Sequence, residues 1–202
     1  MSTPIQDISS IAPAGQTGEG TEDSRSQAQK DYDEGRGYVQ KGENALAAAS
    51  LHNALRGFEQ EDNKEGIANA SNQLGHLCLQ REEFEKALTS YRRAWDICKE
   101  LEDRISLQAI SLQLVQVYRG LEEYRKSLDL CLDLLDDYQA NNDPRGTTTV
   151  LEMMAEVYLA SGDQEKAADT YNTMASIHAN FNHRKIAESY RQKAAELGKQ
   201  GA

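Results

Sequence analysis

A chain of 202 residues with 39% hydrophobic, 27% charged and only 6% aromatic residues, poor in Pro, has the make-up of a soluble, helix-leaning protein. Its formal charge of −11 disfavours nucleic acid and anionic membrane surfaces, because phosphate contacts need clustered Lys and Arg; basic peptides or protein faces are the partners such a field steers. Cys78, Cys98 and Cys131 are odd in number and lack C-x-x-C or His-paired spacing, so reduced thiols are expected instead of disulfides or a zinc site. The opening residues carry neither a basic n-region nor an apolar h-region, and no apolar run approaches a membrane span. A cytoplasmic protein without cofactor or metal is the expectation.

Residues 1–25 are rich in Gly, Ser, Thr and acidic side chains and too poor in apolar ones to repay ordering, so a disordered acidic/polar tail is expected. Ile5, Ile8 and Ile11 interrupt it. Should the tail turn helical, they form one strip able to dock in the protein's own groove or a neighbour's, a route to self-association.

From about Ser26 a helical period takes over and repeats every 40 residues. Tyr38, Cys78, Tyr118 and Tyr158 share one phase, and Ala47, Ala87, Ser127 and Ala167 another. Leu51, Tyr91, Cys131 and Tyr171 keep the same step, as do Ala54, Ala94, Leu134 and Met174. Four residue classes in step mark tandem units, each read as helix A, a short turn, helix B and a loop. The units fall at about 28–67, 68–107, 108–147 and 148–182, followed by a capping helix over 183–198 and a tail over 199–202. Turns are expected near Lys41-Gly42, Arg81-Glu82, Gly120-Leu121 and Ser161-Gly162, where Gly suits a left-handed C-cap. Asn63, Asp103 and Asp143 precede the next helix as N-caps, with Pro144 at its first position. Glu82 with Lys86 and Glu122 with Lys126 suggest i,i+4 pairs. The last helix carries Ile186, Tyr190, Ala194 and Leu197 along its apolar side, and Glu188, Arg191, Gln192, Lys193 and Glu196 on a polar outer side. Small residues at the Ala47 phase, and Gly35 and Gly75 on helix A, let the two helices of a hairpin approach closely, while Tyr91, Tyr171, Leu134 and Met174 fill the gaps between hairpins.

Leu74, Gly75, Ala87, Tyr91 and Ala94 resemble the signature of the tetratricopeptide repeat (TPR) family, matched less fully by Leu114, Tyr118 and Ser127 and by Tyr158, Ala167 and Tyr171. The family's ordinary unit is about 34 residues. The longer unit here is similar to repeats of kinesin light chain and of spindle-orientation adaptors. The resemblance implies an all-α, right-handed α-solenoid of four hairpins plus a cap, with helices A lining a concave groove for a peptide. In that frame the groove candidates are Arg36, Asn69, Asn72, His76, Leu112, Gln116, Arg119, Glu152 and Glu156. Asn and Gln can meet a peptide backbone, Arg36 and Arg119 a carboxylate, and Leu112 an apolar anchor. The Lys and Asn positions with which some relatives clamp chaperone tails hold Tyr32, Arg36, Asn72 and Gln113, a poor match. Asp129, Asp133, Asp136 and Asp137 read as a solvated convex face, a basic partner's docking face or a weak cation site, and His178 and His183 as surface histidines. No Ser-His-Asp order, phosphate loop or H-E-x-x-H appears. The expected function is a non-catalytic scaffold or adaptor holding a peptide of another protein. The alternative is a small acidic chaperone keeping a secreted or assembly client soluble, with an enzyme or enzyme regulator behind both.

Overall fold

A computed structural model of the chain describes residues 24–200, so the readings of the Ile5, Ile8 and Ile11 strip lie outside the described residues. Among the described residues there are nine helices and no strand: α1 Gln27–Lys41, α2 Asn44–Gln60, α3 Lys64–Gln80, α4 Phe84–Glu100, α5 Arg104–Gly120, α6 Tyr124–Ala140, α7 Pro144–Ala160, α8 Gln164–Asn180 and α9 Arg184–Gln200. Every helix after the first has 17 residues. From α2 onward helix starts recur every 20 residues, so each later 40-residue unit is two equal halves.

One turn geometry serves all eight connections between these helices. Gly42, Asp62, Glu82, Glu102, Glu122, Asn142, Gly162 and Asn182 each adopt positive φ. The amide one residue later, from Glu43 through His183, donates to the carbonyl five residues back at 2.8–2.9 Å. This is a Schellman closure, which satisfies carbonyls that a helix end leaves open. The expected N-caps form: Asn63 Oδ1 accepts from the Gly66 amide, Asp103 from Ser106, and Asp143 from Arg145 and Gly146, with Pro144 opening α7. Ser26 and Asp163 cap α1 and α8 in the same way.

Three local expectations change. The helix runs through Gly120, and the left-handed residue is Glu122; Gly120 is small because a Cβ there would lie 2.3 Å from the Phe84 ring. Lys86 and Lys126 pair with Glu83 and Glu123, not with Glu82 and Glu122, whose backbone turns them away from the helix that follows. On α9 the buried stripe runs Ala187, Tyr190, Ala194, while Ile186 is 45% exposed, one position off the face that meets α8.

Within hairpins, Ala47, Ala87, Ser127 and Ala167 are all fully buried. A Cβ on Gly35 would meet Leu51 at 2.8 Å, and one on Gly75 would meet the Tyr91 ring at the same distance. The third hairpin has Val115 at that phase, and the Ser127 hydroxyl donates to its carbonyl at 2.8 Å. A second size match joins one hairpin to the next. Phe58 faces Gly66 and Tyr138 faces Gly146, each ring under 3 Å from where a Cβ would be. At the intervening junction Cys98 meets Ser106 instead, so a smaller residue on one helix is answered by a larger one on the other. The core is therefore a file of linked clusters along the array. At its end α9 packs on α8 as extensively as α2 does on α1.

Candidate functional site

Beyond neighbour-to-neighbour packing, α1 meets α3 and α5 meets α7 across the helix between them. These helix-skipping contacts join odd-numbered helices, which places those helices on one side of the array. Asn69, Asn72 and His76 project from α3, the first exposed and the other two half-buried. Leu112, Gln116 and Arg119 sit half-buried on α5, and Glu152 and Glu156 are exposed on α7. Arg36 is half-buried on α1, its guanidinium 5.9 Å from the Tyr32 ring centroid.

Between α3 and α5 lies an open cleft of about 510 Å³, lined among others by His76, Leu79, Phe84, Gln113, Gln116 and Arg119. His76 meets the Tyr91 ring edge-on at 6.1 Å, and burial holds its imidazole below the ordinary value, favouring the neutral form. Neutral His, Gln and Asn each carry both donors and acceptors, the complement a peptide backbone needs.

Several of the expected groove residues are engaged with the protein itself. Arg119 and Glu156, 37 residues apart, form an ion pair that bridges α5 and α7. An incoming carboxylate at Arg119 would have to displace Glu156. Glu152 accepts a hydrogen bond from the Tyr190 hydroxyl of α9. Leu112 leans on the core cluster around Val115 and Leu151, which limits what it offers as an anchor.

On the opposite side, sequence reasoning passed over Trp95, the chain's single Trp. Two small clefts share Trp95 and Leu130. One continues to Leu107, Leu134, Arg104, Asp133 and Asp137, and the other to Leu114, Tyr118, Arg92 and Asp96. Lys99 places its ammonium 5.0 Å from the indole, Arg104 lies 3.7 Å from Asp137, and Arg92 donates to the Tyr118 hydroxyl at 2.8 Å. The acidic run on α6 is thus partly balanced locally. A lone Trp five positions before a B-helix terminus was the available signal.

All three cysteines are free. Burial raises the Cys98 thiol and pushes Cys131 up to about 12, which makes both poor nucleophiles. Among the described residues, no helix is long and apolar enough to cross a membrane.

Structural comparison places this architecture among TPR-like arrays. A kinesin-light-chain-type array of nearly identical TPR-like repeats from Podosopora anserina superposes with a TM-score of 0.71 at 13% identity, covering 85% of this chain and 87% of that one. The apo form of RapI gives 0.64 at 13% identity over 86% of this chain and 54% of its own. A Rap protein complexed with Competence and Sporulation Factor gives 0.61 at 15% identity over 87% and 53%. The chain spans about half the length of those two Rap proteins. No curated protein matches the sequence. The family described as soluble NSF attachment protein, SNAP, matches residues 14–146. Four helical hairpins closed by a ninth helix form a TPR-like α-solenoid among the described residues, and the chain belongs to the soluble NSF attachment protein family.

Proposed function

We propose that the protein is a non-catalytic interaction scaffold, working in the cytoplasm, that holds an extended segment of a partner protein along the inner faces of α3 and α5. The observation carrying this reading is the cleft whose lining by His76, Gln113, Gln116 and Arg119 offers donors and acceptors beside apolar Leu79 and Phe84. The overall charge of −11 favours a segment with basic residues. A structural neighbour of the same fold was solved with a bound factor, Competence and Sporulation Factor. The family description names attachment to NSF, which makes NSF the first partner to test.

The test is affinity capture with purified NSF and with peptides scanning its sequence. Asn72→Ala combined with Gln116→Ala should weaken capture at least tenfold, the loss expected when about two hydrogen bonds are removed, whereas Trp95→Ala on the far side should leave it intact. Capture lost only with Trp95→Ala would move the site to the outer face. Preference for an unfolded, apolar client over a basic tail would favour the chaperone reading.

A further inference from the structure

We propose that His178 and His183 form a two-imidazole site for a tetrahedral divalent metal of the Zn²⁺ class, at the joint between α8 and α9. His178 lies in the last turn of α8 and His183 directly precedes α9. The Schellman closure links them through the backbone, the His183 amide donating to the His178 carbonyl at 2.9 Å. The same turn brings the two Nδ1 atoms to 3.3 Å. Two nitrogens each about 2.0–2.1 Å from a tetrahedral Zn²⁺ stand about 3.3–3.4 Å apart, so the rings are already at chelating separation.

Both rings are held from behind. His178 stacks on Tyr190 with centroids 5.5 Å apart, and His183 stacks on Phe181 at 6.3 Å. To bind, each imidazole would present Nδ1 as a lone pair and carry its proton on Nε2, so the metal replaces the shared Nδ1 contact. Among the described residues no group of three or more His, Cys, Asp or Glu could hold a metal, so water completes the shell. Nearby Arg184 and Lys185 add positive charge. Binding is therefore exchangeable instead of permanent, and it would tie the closing helix more firmly to the array.

The experiment uses the full chain, Zn²⁺ for calorimetric and thermal titration, and Co²⁺ as a spectroscopic stand-in. Tetrahedral Co²⁺ should show ligand-field bands without thiolate charge transfer, which separates this site from one built on Cys78, Cys98 or Cys131. His183→Gln changes an exposed side chain and should weaken Zn²⁺ at least tenfold and abolish the metal-induced rise in Tm. His178→Gln should do the same, while His52→Gln on α2 should bind like the native chain. Unchanged Zn²⁺ affinity in His183→Gln, a thiolate band with Co²⁺, or no Zn²⁺ uptake by the native chain at millimolar metal would each overturn the proposal.

Discussion

Replacing Glu82, Glu102 and Glu122 by Gly should stabilise the protein, although all three changes delete charged surface residues. Their φ values are 56°, 56° and 60°, the left-handed region in which a Cβ crowds the following carbonyl. That crowding costs about 1–2 kcal/mol per residue, while Gly gives back about 0.5–1 kcal/mol through the greater freedom of the unfolded chain. The net gain is about 0.5–1 kcal/mol at each turn. The three turns lie in separate connections, so the gains should add to about 1.5–3 kcal/mol. At about 2–4 °C per kcal/mol for a chain of this size, Tm should rise by about 3–12 °C. The mirror experiment is Gly42→Ala with Gly162→Ala. Nothing lies within 4 Å of a Cβ at either position, so any loss there is backbone strain alone. Melts followed by circular dichroism at the helical band decide the matter. A triple variant that melts lower, or a Gly→Ala pair that melts with the native chain, would falsify the common turn geometry.

Two further predictions concern buried and capping groups. The Tyr91 hydroxyl is buried with no hydrogen-bond partner, and burial raises its pKa; Tyr91→Phe should therefore be neutral or stabilising by about 1 kcal/mol, whereas Tyr91→Ala should cost about 3–5 kcal/mol through the cavity it leaves, and denaturant titration distinguishes them. Hydrogen bonds from the Ser106 side chain and amide hold Asp103 below the ordinary carboxylate value, and Lys166 does the same for Asp163. Because the folded value lies below the unfolded one, this stabilisation is complete above about pH 4 and is lost as pH falls through the lowered value. Tm measured against pH should accordingly fall less steeply below pH 4 in Asp103→Asn with Asp163→Asn; parallel curves for the variant and native chains would refute the linkage.

The fold was legible because its determinants are local and periodic. Ala47, Ala87, Ser127 and Ala167 are fully buried, and Asn63, Asp103 and Asp143 cap the helices that follow them. Such signals lie on one helix or across one turn, where spacing and geometry coincide. Left-handed positions were legible where Gly occupied them and hidden where Glu did, because Glu82, Glu102 and Glu122 look like ordinary helix formers. Gly120 misled for the converse reason, its smallness answering to the Phe84 ring. The candidate site was less legible. Phase places His76, Gln116 and Arg119 on helices A, but only the curvature of the array decides that Arg119 reaches Glu156, or that Tyr190 reaches Glu152. The histidine pair likewise depends on ring orientations set by Tyr190 and Phe181, which a spacing of five residues does not convey.

The uniformity of the eight joints carries a mechanical consequence. A rod hinged at one weak link bends there and nowhere else, whereas a row of like couplings shares any imposed strain among its members. A change of curvature imposed on the array is then met by a small opening at every joint, with no single helix dislodged. Elastic accommodation of this kind follows from the constant 20-residue stride and from stability that resides in nearest-neighbour interfaces.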